Sequence, residues 1–220
     1  MLDLLLPQRC VACGAPGAQA CGDCLASARR LRAPLCDRCG APTAWPVARC
    51  RECAGRRLAF AHARAAVAYD GAVRQVVAAW KERGLRRLAE PVADVVAEAV
   101  APPPVAALAA IPPDRERTLR RGHHPADGLA AALGARWELP VEPLLRRERG
   151  APRQRGLSLP ERRRNVSGAF TAVRRPPRAI ALVDDVYTTG ATAHAAASAL
   201  RRAGAARVEV VTFARTIRLA

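Results

Sequence analysis

Aromatic residues make up 4% of this 220-residue chain, so its core must be built from aliphatic side chains and alanine. Lysine is nearly missing as well. Lys81 is the single one, and arginine carries the rest of the 36 basic charges. No run approaches the roughly 18 apolar residues of a membrane span. The longest uncharged stretch, residues 99–113, contains five prolines. Residues 1–7 have an apolar flavour but no basic leader, and the stretch is too short for a signal peptide. These absences set the expectation of a soluble, cytoplasmic, globular chain forming one large domain or two small ones. What is abundant is positive charge. With 36 basic and 19 acidic residues the net charge is +17, a field that attracts phosphates, pyrophosphates and nucleic acids. Coding bias toward arginine and alanine is a second source of that excess, so charge alone does not choose a partner.

Cysteine is absent after residue 53. All eight lie within the first 53 residues as four CxxC pairs: Cys10/Cys13, Cys21/Cys24, Cys36/Cys39 and Cys50/Cys53. Two sulfurs separated by two residues can face one ion when the intervening turn folds back, and two such knuckles complete the tetrahedral thiolate set that zinc prefers. A disulfide scaffold would need an oxidising compartment. The expectation is therefore two structural zinc sites over residues 1–57. Gaps of 7, 11 and 10 residues separate successive pairs. The first and last suit short hairpins, which favours sequential pairing. A cross-braced arrangement of alternating pairs is the other possibility. Four thiolates close the coordination shell, so these sites hold structure or dock partners and leave no open position for catalysis.

From residue 58 to 220 the pattern becomes an alternation of strands and helices. Residues 60–69 read as a strand, and Val73, Val76, Val77 and Trp80 fall at helical spacing ahead of Gly84. A second helix runs over 88–99, with Pro91 in its first turn. Residues 105–111 read as a strand, 112–122 as a polar loop, 125–135 as a helix and 141–145 as a strand. Residues 146–164 hold eight arginines without period and read as a mobile basic loop. A buried strand over 179–183, a helix over 192–203 and a last strand over 207–213 complete a parallel α/β sheet.

The strongest chemical signal is residues 179–192. An apolar strand runs into Asp184 and Asp185, and the turn Thr188-Thr189-Gly190-Ala191-Thr192 then opens a helix. Ligands of open α/β sheets bind at the carboxyl ends of strands. Hydroxyls, backbone N–H groups and the helix dipole of such a turn cradle a phosphate. Carboxylates are wrong partners for an anion but suit sugar hydroxyls or a metal carried by the ligand. One phosphate beside one diol describes a ribose 5-phosphate.

This stretch resembles the signature of the type I phosphoribosyltransferases. The resemblance implies that Thr188, Thr189, Gly190, Ala191 and Thr192 hold the 5-phosphate of phosphoribosyl pyrophosphate, while Asp184 and Asp185 hold its ribose hydroxyls. Four CxxC pairs ahead of such a domain resemble the ComF family, linked to DNA uptake and competence in bacteria. Tyr69-Asp70 with Lys81 is similar to that family's tyrosine-entered helix and following lysine. Arg149, Pro152, Gln154, Leu157, Arg162, Asn165, Gly168 and Phe170 match a later run of it. The chain departs at Arg121-Gly122-His123-His124-Pro125, where the family reads Arg-Gly-Phe-Asn-Gln.

The resemblance implies a phosphoribosyltransferase-type protein, a glycosyltransferase of pentosyl groups, that takes phosphoribosyl pyrophosphate with Mg²⁺ and an acceptor that no residue identifies. Arg121, with Arg115, Arg117 and Arg120 on the same loop, is placed to meet the departing pyrophosphate. The alternative is a non-catalytic sensor of the same ligand, or an adaptor of the competence machinery that binds single-stranded DNA. Scarce aromatics weigh against base stacking, for which Trp45 is the best platform, although it reads first as a packing residue of the ribbon. His194 reads as a surface residue of the last helix, and Lys81 equally as a solvated helix end.

Overall fold

The structure, a computed structural model, describes residues 8–113, 123–148 and 169–217. A four-stranded, all-parallel sheet forms its centre, with strand order β1-β6-β5-β2. The strands are β1 (His62–Ala68), β2 (Leu108–Ala110), β5 (Ala179–Tyr187) and β6 (Arg207–Arg215). Alternate side chains of β5 serve opposite faces, as a pleated strand requires. Ala181 and Val183 join the face covered by helices α2 (Gly71–Glu82), α3 (Ala89–Ala99) and α4 (Pro125–Trp137), where Trp80, Leu129 and Phe213 are fully buried. Ile180 and Leu182 join the other face, covered by α5 (Ala191–Arg202). Alanine dominates α5, where Ala193, Ala195, Ala196, Ala197 and Ala199 are all buried and let the helix lie close to the strands.

Two expectations change. Strand β5 extends past the acids to Tyr187, so Asp184 and Asp185 lie inside it. Residues 141–145 form no strand of the main sheet. Val141 bridges Leu108, and the chain pairs later, as β3 (Leu145–Arg147) against β4 (Phe170–Ala172), in a separate antiparallel pair. Arg146 and Arg147 are thus strand residues; residues 149–164 of the basic run lie outside the described residues, as do Arg115, Arg117, Arg120, Arg121 and Gly122.

The cysteine-rich segment clasps the β1 side of the sheet from both faces. Ala20 and Ala28 of its first half, which carries the short helix α1 (Gly22–Ala26), join the α2–α4 cluster. Cys36, Cys39 and Cys53 of its second half join the α5 cluster. Between the halves the chain runs along the outer edge of β1: Leu31 N–H donates to Ala66 O and Ala68 N–H to Arg29 O, both at 2.9 Å. Gly40 makes the closest approach. At φ +69°, a Cβ there would lie 2.4 Å from Ala63 O. Among the described residues no helix is long and apolar enough to cross a membrane.

Candidate zinc centres and phosphate turn

The thiols gather as two quartets, Cys10/Cys13/Cys21/Cys24 and Cys36/Cys39/Cys50/Cys53, each with its sulfurs within 4.8 Å of one another. This is the sequential pairing. Sulfur separations of 3.6 Å (Cys13–Cys21), 3.6 Å (Cys36–Cys53) and 3.5 Å (Cys39–Cys50) exceed a disulfide bond and approach the roughly 3.8 Å edge of a zinc–thiolate tetrahedron. Cys21 N–H donates to Cys10 Sγ at 3.4 Å and Cys50 N–H to Cys36 Sγ at 3.2 Å, so each knuckle offers its backbone to stabilise a thiolate. Burial alone would raise Cys10 and Cys36. The N–H groups of Cys21, Cys13 and Ala12, with the Cys21 thiol, bring Cys10 down to about 6. Those of Cys39, Cys50 and Arg38, with the Cys53 thiol, bring Cys36 down to about 7. In the same quartets the thiols of Cys21 and Cys13 push Cys24 up, and burial pushes Cys39 up. Four crowded sulfurs cannot all ionise unless a cation shares them, and the donor set fits zinc. Metal analysis of the purified protein is expected to find two zinc ions per chain. Finding none, with disulfides instead, would exclude the ribbons.

At the carboxyl end of β5 the two acids diverge. Asp185, 6% exposed, turns toward α2 and forms an ion pair with Lys81 at 2.7 Å. The single lysine is therefore a site residue, which its place at a helix end did not reveal. Asp184 is half-buried and accepts the N–H of Asp185 at 2.9 Å. Burial first, and the Asp185 charge second, push its carboxyl well above the ordinary range, while that N–H, Lys81 and Arg147 pull it back. Arg147, held over the Phe170 ring at 5.1 Å, is thus a second cation whose field reaches Asp184, and the arginine run concealed it.

Because the folded state holds its proton on Asp184 more tightly than the unfolded chain does, this group's contribution to stability is fully present near pH 4 and is lost as pH rises toward the raised value. Asp184→Asn is expected to remove that slope. Its melting temperature should exceed the parent's by at least about 2 °C at pH 8.5 and match it at pH 4, by calorimetry. An equal gap at both values would contradict this assignment.

Gly190 is the N-cap of α5 at φ 72°, and Thr189 Oγ1 accepts the Ala191 N–H at 3.3 Å. With no side chain on the cap, the first turn of α5 can offer its remaining N–H groups to an external acceptor. The hollow between Asp184, the turn and Thr212 measures ≈ 20 Å³, room for one water molecule, so it is too small to enclose a ligand the size of a phosphate. A roomier cavity of ≈ 530 Å³ lies at the amino ends of the strands, lined by Arg30, Arg64, Glu98 and Glu209, away from the acids.

Two smaller readings are corrected. Trp45 is 68% exposed, so it is not buried in the ribbon. His194 is half-buried, and its Nδ1 accepts the Ala59 N–H at 3.0 Å; burial, then the charge of Arg56, lowers its pKa and favours the neutral form that this bond needs.

Residues 1–54 match the double zinc ribbon domain family. Competence protein F of Haemophilus influenzae is 37% identical over 114 residues, a match that takes in half of each chain. The DNA utilization protein YhgH of Salmonella typhi is 29% identical over an alignment of 231 residues, which spans 97% of this chain and all of that one. Both are homologues of this chain. Among solved structures, glutamine phosphoribosylpyrophosphate amidotransferase from B. subtilis, complexed with ADP and GMP, matches at 24% identity and a TM-score of 0.39, over 56% of this chain and 25% of that one. The chain is thus an α/β protein with a parallel sheet and an N-terminal cysteine-rich double zinc ribbon.

Proposed function

We propose that this protein binds phosphoribosyl pyrophosphate with Mg²⁺ at the Asp184–Thr192 turn and serves DNA uptake or utilisation in the cytoplasm, as the names of its two homologues suggest. One observation carries the reading. A carboxylate pair and a glycine-capped helix start meet at the carboxyl end of one central strand, with Lys81 paired to Asp185 and the charge of Arg147 acting on Asp184. The turn receives the 5-phosphate, and the acids orient the ribose hydroxyls. The carboxylate of Asp185 also favours a sugar that develops positive charge as pyrophosphate departs. Mg²⁺ travels with the pyrophosphate and neutralises its oxygens. The arginines at 115–121, Arg121 above all, are assigned to that leaving group. Thiolate zinc ligands suit a reducing compartment.

Calorimetric titration of the zinc-loaded chain with phosphoribosyl pyrophosphate, with and without Mg²⁺, tests the binding. Pyrophosphate release against candidate acceptors then separates transferase from sensor. No heat at any Mg²⁺ concentration would remove the reading.

The exposed Trp45, on a ribbon with exposed Arg49 and Arg51, favours a second role in holding single-stranded DNA. Such binding should rest on phosphates. Its affinity is expected to fall at least tenfold between 50 and 200 mM salt with little sequence preference, and charge reversal at Arg162, Arg163 and Arg164 should weaken it. Salt-independent, sequence-selective binding would contradict it.

A further inference from the structure

Arg215 ends β6 and is 1% exposed, one of the largest fully buried side chains of the protein. A buried guanidinium needs a compensating charge and acceptors for its donors. Its two Nη groups find both in the second ribbon, while its Nε has no hydrogen-bond partner among the described residues. Its Nη2 pairs with Glu52 at 2.8 Å, and its Nη1 donates to the carbonyl of Cys39. Glu52 stands between two members of the thiol quartet, Cys50 and Cys53, and Cys39 is a third. The single carboxylate that balances this buried cation is therefore held by a metal knuckle.

The other side of Arg215 faces the phosphate turn. Its guanidinium lies 4.9 Å from the centre of the Tyr187 ring, and the two residues are register partners across β5 and β6. Tyr187 backs directly onto Gly190: a Cβ on that glycine would fall 2.2 Å from the tyrosine hydroxyl. Phe60 closes the far side edge-on at 6.3 Å. The next residue, Thr216, donates its N–H to Tyr187 O at 3.0 Å and its hydroxyl to Thr188 O at 3.2 Å. The turn thus has a built rear wall, and the wall is anchored on the second ribbon.

We propose that Arg215 is a positioning residue that couples metal occupancy of the Cys36/Cys39/Cys50/Cys53 site to the shape of the phosphate turn. When that knuckle loosens, Glu52 and the Cys39 carbonyl leave Arg215. The cation no longer holds Tyr187, and the backbone at Gly190 loses its support. The first quartet has no part in this. Its ribbon packs on the opposite face of the sheet, through Val11, Ala20, Leu25 and Ala28. Coupling of this kind is reciprocal, so a ligand seated on the turn must also retain zinc at the second site.

Backbone hydrogen exchange over residues 187–194 tests the coupling without any ligand, and the ligand part rests on the function proposed above. In the zinc-loaded full chain, Glu52→Gln and Arg215→Met should each speed exchange there about tenfold and leave β2 and α4 unchanged. Cys50→Ser should do the same, whereas Cys24→Ser, which opens the first ribbon, should not. Glu52→Gln guards against an unfolded Arg215 variant, because its partially exposed side chain keeps its size. Unchanged exchange at 187–194, or an equal rise everywhere, overturns the proposal. In a second arm, phosphoribosyl pyrophosphate with Mg²⁺ should slow zinc loss to a chelator at least threefold from one of the two sites, and from neither in Arg215→Met. Binding of that ligand without slower zinc loss also overturns the coupling. If the ligand does not bind, the exchange result still decides the role of Arg215, and the failure belongs to the proposed function.

Discussion

Replacing both Asp184 and Asp185 with alanine is expected to weaken phosphoribosyl pyrophosphate binding at least tenfold. The charge-assisted hydrogen bond from a ribose hydroxyl to Asp185 is worth about 1.5–3 kcal/mol, so its loss alone suffices, and loss of the bond to the raised Asp184 adds to it. The phosphate cradle stays intact, so inorganic phosphate should bind as before and discrimination for the ribose should vanish. The fold should persist. Asp184 is a half-buried acid raised by burial and by its neighbour, so its removal relieves a cost, although Lys81 is left without its carboxylate. The comparison needs titration of both ligands and a melting curve for each protein. Unchanged affinity in a folded double variant would falsify the phosphoribosyl assignment.

Gly190→Val is expected to abolish phosphate binding and to cost stability as well. Two causes add. A φ of 72° is a conformation that β-branched residues rarely adopt, and the new Cβ would run into the Tyr187 hydroxyl. Strain of this type costs of order 1–3 kcal/mol before the collision is counted. Tyr187 can yield only by moving against Phe60 or Arg215, both fully buried. Gly190→Ala should show the same defect in smaller measure. If Gly190→Val binds phosphate like the parent, the turn is not the cradle.

How much of this was legible beforehand depends on distance along the chain. The thiol quartets were readable because 7- and 10-residue gaps allow few ways to bring neighbouring pairs together. Strand β5 and its turn were readable because an apolar run, two acids and a glycine follow one another directly. Lys81 was legible only as half of an open alternative, since nothing local marks a lysine that meets Asp185 only after α2 has packed across the sheet. Arg147 and Arg215 were hidden by abundance, for in a chain so rich in arginine a buried or ordered one has no distinguishing neighbour. The short pair β3 and β4 escaped because three residues set no period. Lone residues failed likewise: Trp45 was expected to pack and is exposed, His194 was expected at the surface and anchors a backbone N–H.

The segment that joins the two ribbons also governs how this sheet meets other molecules. An outermost strand normally presents a ladder of unsatisfied backbone groups, a template on which a second chain can add. Here Arg29–Leu31 occupies that ladder on β1, and Pro140 and Glu142 occupy it on β2, where Leu108 donates to Pro140 O and accepts from Glu142 N–H, each at 2.8 Å. Both margins of the sheet are closed by the chain itself. Strand-by-strand aggregation then requires one of these seals to peel away first, and on the β1 side the seal is tethered at both ends to a cysteine quartet.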